Sequence, residues 1–250
     1  MARIDYDQAT ATSFKEVREI PRDGLTAWKD AIGRHLNPAP GMTVVDVGAG
    51  TGVFAAAMCD WFPIKAIAVE PAAAMRALIP RRPDIEVLDG HAAAIPIPQA
   101  SADAAWLSTV THHIPDLQAA AHEIRRVLRP GSPVLIRNAF AGRHERLRIV
   151  RWFPEVTRLL DTYPTVEQTC QAFAAAGFTM RSLEPVPQTD ITSMADFLDR
   201  LDTLRSADTL MRSLTDAEYQ SGRQRLREAA TSGNSDDSDL VSALDLLVLH

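Results

Sequence analysis

Val44-Val45-Asp46-Val47-Gly48-Ala49-Gly50-Thr51-Gly52-Val53-Phe54-Ala55-Ala56-Ala57-Met58 is the stretch that decides how this chain folds. Val44 to Val47, β-branched except for Asp46, reads as a strand buried on both faces, as in a parallel sheet. Glycines at 48, 50 and 52 let the backbone turn sharply and leave no Cβ between it and a ligand. From Phe54 onward the run is Ala-rich and helical. A strand, a glycine turn and a helix in that order make the first half of a nucleotide-binding βαβ unit, with the ligand at the carboxyl end of the strand.

The glycine spacing selects among nucleotides. The dinucleotide fingerprint G-x-G-x-x-G requires a glycine at 53, where Val53 stands. A phosphate-cradling P-loop requires Gly-Lys-Ser/Thr, and no lysine follows these glycines. What remains is D-x-G-x-G-x-G over Asp46 to Gly52, which resembles the first motif of the class I S-adenosylmethionine (SAM) methyltransferases. The resemblance implies that Asp46, Gly48, Ala49, Gly50 and Gly52 pack against the methionine end and the ribose of SAM. An ordinary turn with incidental glycines is the alternative.

Working outward, Ile64 to Val69 reads as the second strand and ends at Glu70, 22 residues after Gly48. A carboxylate at that strand end accepts hydrogen bonds from both ribose hydroxyls of an adenosine. Pro71 and a helix containing Met75 follow, with Met75 placed against the adenine. Ile85 to Leu88 is a third strand, followed by Asp89-Gly90-His91-Ala92. In the resembling family this turn reads Gly-Asp-Ala and its acid accepts from the adenine amino group. Here Gly90 and Ala92 match while His91 holds the acid's position, which leaves the backbone amide of Ala92, or Asp89 one residue out of register, for that contact. Ile95-Pro96-Ile97-Pro98 resembles the family's Leu-Pro-Phe turn.

Ala102 to Val110 reads as the fourth strand, running into Ser108-Thr109-Val110-Thr111-His112-His113. Its end is the topological switch point of such a sheet, where an acceptor meets the cofactor. The His-His pair resembles the ubiquinone and menaquinone biosynthesis-type small-molecule methyltransferases. Histidine, with a reference pKa of about 6.5, accepts protons at neutral pH, so His112 or His113 is the candidate base. The other reading is that one of the two only caps or orients. No Cys, Asp or Glu accompanies them at ligand spacing, so no metal is expected.

Leu117 to Leu128 is an amphipathic helix stopped by Arg129-Pro130-Gly131, and Pro133 to Arg137 is a fifth strand. Asn138, Arg143 and Trp152 follow on its carboxyl side and are the candidate substrate readers, beside Arg148, while each arginine taken singly reads as a solvated surface group. Thr165 to Ala176 reads as a capped helix and Phe178 to Val186 as a sixth strand. Residues 193 to about 230 then read as two or more helices, followed by a polar loop and a final alternating strand, Ser242 to His250.

The resemblance implies a Rossmann-like doubly wound sheet of seven strands in the order 3-2-1-4-5-7-6, with strand 7 antiparallel. Residues 41–191 and 240–250 form its core, and 192–239 are a helical insertion between strands 6 and 7 that either roofs the active site or mediates dimerisation. Residues 1–40 read as an N-terminal helical cap in which Pro21 separates two helices. Tyr6 and Arg18 are similar to residues of the segment that small-molecule methyltransferases fold over bound SAM, so Tyr6 joins the catalytic candidates and Arg18 the cofactor-binding ones.

Bulk properties agree. The chain has 250 residues, 26 basic against 32 acidic, and a net charge of -6, which gives nucleic acid no electrostatic footing. No apolar run reaches the length of about 20 residues that spans a bilayer, and the amino terminus lacks an apolar signal core, so a cytoplasmic location is expected. Cys59 and Cys170 read as small hydrophobes. The expectation is therefore methyl transfer from SAM, leaving S-adenosylhomocysteine, to a small molecule by in-line displacement, in a monomer or homodimer. An aromatic biosynthetic intermediate is an acceptable acceptor. A SAM-binding protein that transfers nothing stays open. An NAD(P)-dependent oxidoreductase is disfavoured by Val53 and by the lack of a Tyr-x-x-x-Lys pair.

Overall fold

A computed structural model describes Thr12, residues 20–232 and residues 240–250. Seven strands form one sheet: β1 (Thr43–Val47), β2 (Lys65–Val69), β3 (Ile85–Leu88), β4 (Ala104–Ser108), β5 (Val134–Asn138), β6 (Met180–Thr189) and β7 (Val241–Leu249). Their order is β3-β2-β1-β4-β5-β7-β6. β1 to β5 pair in parallel and β7 runs antiparallel to both β5 and β6. Order and direction are those the resemblance implies.

Helices cover both faces, as the near-continuous apolar strands require. The side-chain alternation of the strands sorts the core into two layers. Val44, Ala104, Trp106, Leu135 and Val248 face one way, against Trp28 and Ile32 of α1 (Thr26–Leu36) and Phe54 and Met58 of α2 (Val53–Trp61). Val45, Val47, Leu107, Ile136 and Leu247 face the other way, against Ala120 and Ile124 of α3 (Leu117–Val127) and Phe173 of α4 (Val166–Ala174). Trp28, Phe54 and Trp106 pack together, with ring centroids 6.2, 6.1 and 4.9 Å apart.

The element ends carry their own causes. Asp116 caps α3 through the Ala119 amide, and Thr165 caps α4 in a capping box whose second member is Gln168 rather than the neighbouring Glu167. The fourth strand is shorter than its apolar run suggests. It stops at Ser108 because Thr109 adopts φ +50°, and Ala102 makes only a single bridge to Leu128. β6 is longer than expected, because its hairpin pairing with β7 continues to Thr189 opposite Val241.

Between β6 and β7 the chain forms α5 (Met194–Ala207), α6 (Thr209–Arg212) and α7 (Asp216–Ser232). They join the core layer of α1 and α2 through Phe197, Leu201, Met211 and Leu226. Gly222 brings α7 so close to the Phe153 ring that a Cβ there would stand 2.2 Å from it, and Arg225 donates to the Trp152 carbonyl at 2.9 Å. Of the expected N-terminal cap, the described part is a turn at Arg22–Leu25 followed by α1. The helix expected before Pro21 lies outside the described residues, as do Tyr6 and Arg18. Among the described residues no helix is long and apolar enough to cross a membrane.

Candidate active site

At the carboxyl ends of β1 and β4, where the strand order reverses, lies a cavity of about 1350 Å³. The glycine loop forms one wall. Gly48, Gly50 and Gly52 adopt φ of +73°, +58° and +78°, which side chains rarely tolerate. The reason for each differs. A Cβ at Gly48 would stand 2.4 Å from Val110, and one at Gly52 would stand 2.8 Å from Ile79. At Gly50 it would meet no protein atom within 4 Å, so the space above this residue belongs to the cavity wall rather than to packing.

The loop is tied to β2. Gly48 and Ala49 both donate to the Val69 carbonyl, at 2.8 and 3.1 Å. The next residue, Glu70, accepts from the Gly50 amide with one carboxylate oxygen and from the Ala72 amide with the other, both at 2.9 Å. Its side chain lies at the cavity and the residue is 7% exposed. Burial raises its pKa, and the Ala72 and Gly50 amides, with the Arg76 charge, oppose that shift. A carboxylate has about four lone-pair sites. Two are taken by the backbone, so two are left for a diol in the cavity.

Beneath the loop, Asp46 is 1% exposed. Burial, reinforced by the Glu70 charge, pushes its carboxyl up to about 8, and the Ala55 amide offsets only part of this. Neither carboxyl oxygen has a hydrogen-bond partner of good geometry. An acid in this position favours a cationic neighbour.

Most of the expected cofactor residues come together here: Asp46, Gly48, Ala49, Gly50, Glu70, Pro71, Met75, His91, Ala92 and Ser108 all line the cavity. Gly52 instead packs on Ile79 as the N-cap of α2. Gly90 does not line the cavity, because Pro96, Ala94 and Val69 fill the space beside it. Asp89 is drawn away by an ion pair with Arg76 at 3.0 Å.

His112 and His113 lie on a turn directly after β4 and both line the cavity. The His112 ring stacks on Tyr163 with centroids 3.9 Å apart and planes 2° from parallel, and His113 leans on it at 4.1 Å and 48°. Among the described residues no group of three or more His, Cys, Asp or Glu is placed to hold a metal ion.

The expected substrate readers divide. Asn138 is fully buried and lines the cavity, donating to the Ala139 carbonyl at 2.7 Å, while its Oδ1 has no partner. Arg143 and Trp152 are corrected. Arg143 is held in a two-pronged pair with the buried Asp245 of β7, at 2.7 and 2.9 Å, and does not reach the cavity. Trp152 is core, buried where the Arg148–Trp152 turn meets α7. Arg148 is no surface group either: it pairs with Asp190 at 2.6 Å and stacks over Phe197 at the cavity.

Several wall residues escaped the sequence reading. Thr109, at φ +50°, is a strained β-branched residue at the switch point, and strain of this kind gathers at functional sites. Arg137 is buried beneath the Trp28 and Phe54 rings, 5.0 Å from each, and donates to Ser108 Oγ and to Gln188 of β6. Leu147, Ile149, Leu160, Phe197, Leu204 and Met211 supply an apolar roof from the second half of the chain.

Residues 45–136 match the family model described as a methyltransferase domain. The matched stretch takes in the glycine loop, Glu70 and the His112-His113 turn. A ubiquinone/menaquinone biosynthesis C-methyltransferase UbiE of Caulobacter vibrioides is 35% identical over 121 residues, covering 43% of this chain and 48% of that protein. A malonyl-[acyl-carrier protein] O-methyltransferase of Methylococcus capsulatus is 28% identical, covering 73% and 65%. The chain thus spans about half the length of the first curated relatives it matches. In shape, the domain and its added helices resemble a methyltransferase from an antibiotic biosynthesis pathway of Anabaena variabilis, with TM-score 0.75 at 17% identity over 93% of this chain and 98% of that one.

Proposed function

We propose that this protein transfers a methyl group from SAM to a small, largely apolar acceptor held in the same cavity. The observation that carries the reading is Glu70, a buried carboxylate fixed by two backbone amides beside an open glycine loop, with acceptor sites left for a ribose diol. The open space at Gly50 fits a ligand lying on the backbone, and the buried acid Asp46 suits a cationic group nearby. Glu70 would grip the sugar, the Gly48–Gly50 backbone would flank the methionine end, and Met75, His91 and Ala92 would frame the base. SAM supplies a methyl on a positively charged sulfur, already an activated leaving group.

The residues of this chain then have three tasks. They orient the acceptor, which in well-oriented systems supplies about 7 to 11 kcal/mol of the barrier. They exclude water, a task suited to the roof of α5 and α6. They take a proton where the acceptor must lose one, for which His112 and His113 are the candidates. Substrate pockets usually occupy about 300 to 1,000 Å³, so a cavity of about 1350 Å³ has room for two molecules side by side. The relatives are named for transfer to carbon, in ubiquinone and menaquinone biosynthesis, and to oxygen, on malonyl-[acyl-carrier protein].

Melting curves with SAM, S-adenosylhomocysteine and NAD test the cofactor, since only a true ligand raises the midpoint by mass action. Release of S-adenosylhomocysteine from labelled SAM in the presence of candidate acceptors tests transfer. A midpoint raised by NAD and not by SAM would overturn the reading. Binding without release across a broad acceptor panel would favour a SAM-binding protein that transfers nothing.

A further inference from the structure

We propose that Tyr163 is a positioning residue that fixes the plane of the His112 imidazole at the cavity. This rests on the proposed function for its catalytic meaning, and on geometry alone for its structural content. The two rings are 3.9 Å apart and 2° from parallel, so one face of the imidazole is covered by the phenol ring. His113 leans against the same imidazole at 4.1 Å. With one face covered by the phenol ring and Nδ1 buried, what His112 has left to offer a molecule in the cavity is the rest of the ring, its Nε2 edge included.

Both partners are held from behind. The His112 backbone sits in a tight turn, closed by His113 N–H donating to the Val110 carbonyl at 2.8 Å, with Thr111 fully buried beside it. Tyr163 is 6% exposed, and its amide donates to the Leu160 carbonyl at 3.0 Å. Two residues later the capping box at Thr165 anchors the chain to α4. The stack therefore joins two rigid segments about 50 residues apart in the chain. A general base works only when its nitrogen lies within hydrogen-bond reach and direction of the proton it removes. A misplacement of about 1 Å costs about 100-fold, so a side chain that holds the ring plane acts on the rate through His112.

The test uses the full chain labelled with 13C at histidine Cε1, with the His112 signal assigned through His112→Asn. Tyr163→Phe keeps the ring, Tyr163→Leu removes it, and Tyr163→Met is the volume-matched second variant should Leu melt below the working temperature. In wild type and in Tyr163→Phe the His112 Hε1 resonance is expected upfield, with a C–H order parameter of about 0.85. In the ringless variants it should move downfield and the order parameter should fall below about 0.6. A ringless variant whose His112 stays as ordered as wild type would overturn the proposal. So would a Phe variant as loose as Leu, because the hydroxyl and not the ring would then be the agent. Neither readout needs SAM or an acceptor. A failure to bind SAM would strike the proposed function and leave this result standing.

Discussion

Replacing Glu70 by alanine removes the group on which the proposed function turns. In the folded protein its two oxygens accept from Gly50 and Ala72 amides at 2.9 Å each, and the remaining lone pairs face the cavity. One hydrogen bond to a charged group is worth about 1.5 to 3 kcal/mol, and each 1.4 kcal/mol is a factor of ten in affinity. Loss of a single sugar contact therefore weakens SAM binding by about 10- to 150-fold. Water entering the vacated space recovers part of this, so about tenfold is the expected lower limit. Stability falls too, since two amides lose their acceptor, but solvent reaching them keeps the drop in melting temperature to a few degrees. Glu70→Gln sharpens the point despite its matched shape. One oxygen becomes an NH2 that faces a backbone N–H, donor against donor, so Gln should bind SAM no better than Ala. Calorimetric titration with S-adenosylhomocysteine at neutral pH measures all three proteins. If the Ala variant binds within twofold of wild type, Glu70 is not gripping the sugar and the assignment of the cavity fails.

The glycines make a contrasting pair. Gly48→Ala drives a Cβ to 2.4 Å from Val110 at a φ of +73°, so it should lose stability as well as binding. Gly50→Ala meets no protein atom, and should cost about 1 to 2 kcal/mol of backbone strain while abolishing most SAM binding, as melting and calorimetry together would show. Asp46 gives a pH signature. Its folded pKa of about 8 lies above the ordinary carboxyl value of about 3.9, so the folded state holds the proton more tightly and stability falls as pH rises between the two. Asp46→Asn should therefore gain on wild type as pH rises, melting further above it at pH 8 than at pH 5 in the absence of ligand. A gap between the two proteins that does not change with pH would refute the shift. Gly222→Ala places a Cβ 2.2 Å from the Phe153 ring and should destabilise the protein by about 1 to 3 kcal/mol, with amide exchange rising first in α5 to α7.

The proposed cofactor side of the cavity was legible in the sequence because it is built from consecutive residues. Asp46 to Gly52 is one uninterrupted motif, and Glu70 follows from the reach of a single strand. The strands were legible because each is announced by its own apolar run, while their order followed from the family resemblance and not from the runs. The acceptor side is built differently. Arg148 looked like a surface group because its partner, Asp190, lies 42 residues away at the end of β6. Arg143 looked like a substrate reader because its partner, Asp245, lies 102 residues away in the last strand. Trp152 carries an aromatic ring that suits a pocket equally well, and only the close approach of α7 through Gly222 turns it into core. No local pattern encodes such pairings.

The same difference bears on how acceptor choice is built into the chain. The wall proposed to face the acceptor takes Phe197, Leu204 and Met211 from the helices between β6 and β7, Tyr163 from the turn before α4, and Leu147 and Ile149 from the segment after β5. None of these residues belongs to the matched stretch 45–136, which supplies the glycine loop, Glu70 and the histidines. Under the proposed function, exchange of roof residues should therefore leave the grip on the cofactor intact while reshaping the space beside it. Phe197→Ala enlarges the roof and strips the ring from beneath the Arg148 guanidinium, 4.9 Å away. It should lower the melting temperature, a Phe-to-Ala change in a core costing about 3 to 5 kcal/mol. The dissociation constant for S-adenosylhomocysteine should stay within about threefold of wild type, a gap of less than 1 kcal/mol. A loss of cofactor affinity as large as that from Glu70→Ala would mean that roof and glycine loop form one site rather than two adjoining ones.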